Sequence, residues 1–122
     1  MQSNTDIENW PWPEELDALI AAPQHHRLLF ENEHVRVLDT YIPPGAMTAV
    51  HTHIFPASLY VISWSDFIRY GPEGNVMLDS RNLSNVPSPS SALWSYPLPP
   101  DALKNVGPAD LNILSVEVKR VN

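Results

Sequence analysis

The stretch Pro43-Pro44-Gly45-Ala46-Met47-Thr48-Ala49-Val50-His51-Thr52-His53-Ile54-Phe55-Pro56 carries two histidines two residues apart, between a Pro-Pro-Gly break and a closing proline. The segment around the histidines reads as a β-strand. In a strand, residues i and i+2 point to the same face, so the two imidazoles root roughly 6–7 Å apart and can converge on one ion. His51 and His53 therefore make half of a metal site.

Upstream, the period of the pattern is two. Arg27-Leu28-Leu29-Phe30, the turn Glu31-Asn32-Glu33, and the run from His34 to Tyr41 predict a β-hairpin. Downstream, the segments Ser58 to Ile62, Phe67 to Tyr70, Val76 to Leu78, Ala92 to Tyr96, Ala102 to Val106 and Leu111 to Val118 are further strand candidates, rich in β-formers. Gly71-Pro72-Glu73-Gly74 and Gly107-Pro108 read as turns, and Ser80 to Ser91 as a long surface loop placed to act as a lid. Ahead of the strands, Pro13 followed by Glu14 and Glu15 opens a short helix that Pro23 ends. About eight short strands at this length predict a sheet that rolls up to protect its edges, of which the jelly roll is the common form. The expected organisation is an N-terminal arm with a short helix over residues 1–25 and an all-β barrel over residues 26–122.

Composition narrows the chemistry. A chain of 122 residues is enough for one domain with a real core. Thirteen prolines, about twice the average share, disfavour long helices. With no cysteine there is no disulfide, thiolate zinc site, iron–sulfur cluster or cysteine nucleophile, so any metal must be held by nitrogen and oxygen. A net charge of −7 with only seven scattered Lys and Arg residues argues against nucleic acid as a partner. No apolar run approaches the roughly 20 residues that span a bilayer, and residues 1–9 lack the basic start and apolar stretch of a signal peptide, so the expectation is a cytoplasmic protein without a membrane partner. Gly-rich phosphate loops, a Gly-X-Ser-X-Gly elbow and a His-Glu-X-X-His helix are all missing from the sequence.

Together these residues make the chain similar to the cupin superfamily, whose first motif runs Gly, five residues, His, one residue, His, three or four residues, Glu, six residues, Gly. Gly45, His51 and His53 match in place, whereas the glutamate position falls on Ala57 or Ser58 and the closing glycine on Ser65. The second motif ends in His, three residues, Asn; Asn105, with Gly107 just after it, matches that ending, and the histidine position holds Asp101. The resemblance runs from about Leu28 to Lys119 and implies a double-stranded β-helix, or jelly-roll, barrel. It is greatest to small single-domain bacterial cupins, which commonly pair as homodimers, and the aromatic arm around Trp10 and Trp12 offers apolar surface for such pairing.

Asp101, where the family places a ligand, would complete a two-nitrogen, one-carboxylate set of the kind used by non-haem iron enzymes. The competing reading is an ordinary turn aspartate after Pro99-Pro100. His26 reaches the interior only if the register of its strand allows, and His25 and His34 have weaker claims. Arg36 and Arg69 are either carboxylate clamps or outward-facing strand residues. Phe55, Tyr60 and Trp64 are the expected pocket lining for a small-molecule ligand. Three functional readings follow: a divalent-metal enzyme using Fe, Mn, Ni or Zn, such as a small-molecule dioxygenase; a non-catalytic binding module with a degenerate or empty metal site; and a structural dimer without ligand.

Overall fold

The computed structural model describes residues 9–119. Nine strands are present among them: β1 (His26–Glu31), β2 (Val35–Ile42), β3 (His51–His53), β4 (Ala57–Ser63), β5 (Phe67–Tyr70), β6 (Val76–Asp79), β7 (Ala92–Ser95), β8 (Leu98–Asn105) and β9 (Leu111–Val118). They form two antiparallel sheets, one ordered β1-β2-β9-β4-β7 and the other β3-β8-β5-β6. This is the expected all-β jelly roll. Among the described residues no helix is long and apolar enough to cross a membrane.

The predicted N-terminal helix is shorter than its sequence pattern. Pro13, Glu14 and Glu15 lead into a single 3₁₀ turn, Glu14–Leu16, and only then comes α1 (Ala18–Ala21). Asp17 caps α1, its Oδ2 accepting from Leu19 N at 3.1 Å. The expected hairpin forms between β1 and β2, with Asn32 Oδ1 accepting from the backbone N–H groups of His34 and Val35 in the turn.

Alternation in β2 buries Arg36, Leu38, Thr40 and Ile42 on one face. Ile42, Phe67 and Leu111 form the centre of the apolar core, with Trp64, Leu103 and Ile113 packed against them. Asn105, fully buried, joins four segments. Its Nδ2 donates to the carbonyls of Ile42 and Ala109, each at 2.8 Å, while its Oδ1 accepts from Ser65 Oγ at 2.7 Å and Gly107 N at 3.0 Å. Every hydrogen-bonding capacity of the amide is used, which offsets the cost of burying it. Gly107 sits where a Cβ would run into Ser65 and the backbone of Asp66, so the same junction requires a glycine.

Strand β8 takes in Pro99 and Pro100, where the sequence reading placed a turn. The two prolines fall at a shift of register between β3 and β8, His51 pairing with Asp101 and His53 with Leu98. At such a bulge the missing proline N–H groups cost no ladder bond. Asp101 is therefore a strand residue, not the start of a turn.

Candidate metal centre

His51 and His53 share the inner face of β3, as their spacing requires, with ring centroids 4.9 Å apart. The third member of the group is His26, the first residue of β1. Its ring centroid lies 4.5 Å from that of His51 and 5.3 Å from that of His53. One nitrogen from each ring falls within 4.8 Å of the other two, and the group can hold a metal ion.

Each ring is fixed through its Nδ1. That of His26 donates to Ala22 O at 2.9 Å, that of His51 to Ala49 O at 2.8 Å, and that of His53 to Glu117 Oε2 at 3.2 Å. A carbonyl or carboxylate oxygen only accepts, so each Nδ1 carries a proton, and in the neutral ring the lone pair lies on Nε2. Burial lowers the pKa of His26 to about 3 and that of His51 to about 4, with the neighbouring imidazoles adding to the effect. Both rings are neutral at physiological pH, the state in which imidazole ligates.

Behind His53 lies a buried ionic chain. Glu117, only 1% exposed, uses its second oxygen to accept from Arg36 Nε at 2.7 Å. Arg36 then grips Asp17 with both terminal nitrogens, at 2.8 and 3.1 Å. Burial works against the Arg36 charge, but Asp17 and Glu117 outweigh it and raise its pKa. Arg36 and Glu117 are direct partners across β2 and β9, so both point inward together. The segment around α1 thus supports two of the three histidines: His26 through the Ala22 carbonyl, and His53 through Asp17, Arg36 and Glu117.

Asp101 sits opposite His51 on β8, but it is not one of the converged donors. Its Oδ2 lies 2.8 Å from Arg69 Nε. Burial raises the Asp101 pKa, with Arg69 partly opposing it. His25 and His34 also stay outside the group; His34 is exposed beside Glu33.

A cavity of about 450 Å³ opens beside the histidines, and His26, His53, Arg69 and Glu117 reach it. Phe55 and Trp64 are among the residues that line this cavity. Tyr60 does not, and it is 42% exposed. On β4 it is Ala57, Leu59 and Val61 that face the cavity, so Ser58 and Tyr60 take the opposite face. Leu83 and Pro87 from the long loop, and Leu93 and Trp94 from the following segment, complete much of the remaining wall.

Sequence reasoning passed over Glu117 and underweighted His26 and Arg36. The signal for Arg36 was present, since it shares strand parity with Leu38, Thr40 and Ile42. Arg69 likewise shares parity with buried Phe67 on β5.

No family model and no curated protein matches the sequence. Solved structures do. A cupin domain from Bordetella pertussis superposes with a TM-score of 0.62 at 18% identity, over 78% of this chain and 92% of that one. An uncharacterized conserved protein with a double-stranded β-helix domain from Klebsiella pneumoniae gives a TM-score of 0.54 at 17% identity, over 97% and 88%. The polyketide cyclase RemF from Streptomyces resistomycificus gives 0.52 at 15% identity, over 82% and 68%. With its two rolled antiparallel sheets and these neighbours, the chain has a double-stranded β-helix fold like that of these cupin structures.

Proposed function

We propose that the chain is a metal-binding cupin in which His26, His51 and His53 hold one divalent cation beside a cavity for a small organic ligand. The observation that carries this reading is the common tethering of the three Nδ1–H groups to oxygen, which leaves three Nε2 lone pairs to converge. Metal-binding histidines are usually oriented in this way, by a carbonyl or a carboxylate on the far nitrogen. Three protein ligands with further positions open is the donor count of a catalytic site. Imidazole nitrogens suit zinc, iron and nickel, and manganese less well. A bound ion would supply a Lewis acid and a template for the ligand.

In this reading His26 is the third ligand and Asp101 is not. Elemental analysis of untagged protein tests it, with about one divalent metal per chain expected. His26→Ala and His51→Ala should reduce the metal to trace, while Asp101→Ala should retain it. Loss in Asp101→Ala with retention in His26→Ala would overturn the ligand set.

A second reading, a binding module without turnover, has one observation in its favour. The buried carboxylate at the histidines, Glu117, accepts from both Arg36 and His53, which leaves it unavailable as a general base. Metal-loaded protein that binds a ligand in the cavity and releases it unchanged in air would support this reading over the enzyme.

We also infer that the protein pairs with a second copy of itself. Strand β1 is an edge strand whose Leu28, Leu29 and Phe30 are all exposed, so apolar side chains stand on both of its faces. Light scattering should give twice the monomer mass, and Phe30→Glu should return the monomer.

A further inference from the structure

The cavity beside the histidines is apolar over most of its wall, with Leu59, Val61, Leu103, Ile113 and Trp94 among its lining, and Arg69 enters it as a cation. Arg69 and buried Phe67 are two residues apart on β5, which turns both inward, and the guanidinium carbon lies 5.8 Å from the centre of the Phe67 ring. Its Nε is 2.8 Å from Asp101 Oδ2, but the N–H is not aimed at that oxygen. That Nε is buried with no hydrogen-bond partner, and a guanidinium carries five donors in a fork that matches a carboxylate.

Charge points the same way. A divalent cation on three neutral imidazoles would place two positive charges at the edge of the cavity that Arg69 lines, and an anion entering the cavity offsets them in a setting of low dielectric.

We propose that the ligand of this site is a hydrophobic monoanion, an aromatic or alicyclic body carrying one carboxylate or enolate, with the oxyanion held between the metal and the terminal nitrogens of Arg69. This rests on the metal-binding reading above. A cavity of about 450 Å³ takes a body of one or two rings.

The test is titration calorimetry of metal-loaded protein with 1-naphthoate and with its uncharged isostere 1-naphthamide. The carboxylate should bind at least tenfold more tightly than the amide. Arg69→Met should bring the carboxylate down to the affinity of the amide while metal content stays unchanged, and Arg69→Lys should restore part of the preference. Because Arg69→Met leaves Asp101 without its partner, the double variant Arg69→Met with Asp101→Asn keeps the arm readable if the single variant does not fold. Equal binding of the two probes, saturable binding of neither, or a carboxylate preference that survives Arg69→Met would overturn the proposal while the metal reading stands. A wild-type protein that retains no metal would instead overturn the reading beneath it.

Discussion

Glu117 accepts a hydrogen bond from His53 Nδ1 with one carboxylate oxygen and from Arg36 Nε with the other, at 3.2 and 2.7 Å. A single buried carboxylate thereby sets the tautomer of one candidate ligand and compensates a buried cation. Glutamine cannot do both, since its amide offers one oxygen and turns an N–H toward the second donor. Glu117→Gln should lower metal affinity by about 10- to 100-fold, the usual effect of losing such an outer partner. Competition with a chromophoric chelator would measure it, and unchanged affinity would remove Glu117 from the site.

The other end of that chain is structural. Arg36→Met leaves both Glu117 and Asp17 buried with no cation between them. Breaking a buried pair from one side costs about 3–5 kcal/mol, and here two carboxylates are stranded. Urea unfolding should show a loss of at least that size. A change within about 1 kcal/mol would mean that water replaces the guanidinium.

Much of the fold was legible because its strands alternate. His51 and His53 could be placed on one face from their spacing, and Gly45 and Gly107 marked breaks where the roll turns. His26 was less readable, since all other residues of β1 are exposed and the strand has no buried neighbour of the same parity to say which face is inside. Tyr60 was misplaced because the smaller Ala57, Leu59 and Val61, not the aromatic, fill the inner face of β4. Glu117 stayed hidden for a different reason. A lone charge in a strand reads as solvent-facing until the cross-strand register sets it against Arg36. Asp101 meets a partner, Arg69, that no local pattern connects to it.

Asn105 occupies a position expected from a sequence motif, and its role here is to brace the roll. Asn105→Ala would leave the carbonyls of Ile42 and Ala109 and the N–H of Gly107 without their partner. With an orphaned buried polar group costing about 1–3 kcal/mol, a loss of about 3 kcal/mol or more is expected. Denaturant midpoints at equal slope would measure it, and metal content in the folded fraction should stay at the wild-type level.

The metal-free protein should lose stability on mild acidification. His26 and His51 have pKa values of about 3 and 4 in the folded chain and near 6.5 when unfolded, so between those limits the unfolded state binds more protons. Stability is then fully present above about pH 6.5 and falls as the pH drops toward 4, by up to about 2.7 kcal/mol per pH unit where both rings differ completely in protonation. Asp101 acts in the opposite sense, because its raised pKa lets the folded state take up a proton at low pH, but one carboxyl does not cancel two imidazoles. Replacing both rings with apolar residues, His26→Leu and His51→Leu, should flatten the profile between pH 6 and 4. A wild-type profile already flat in that window would show that the two rings take up protons without unfolding the chain.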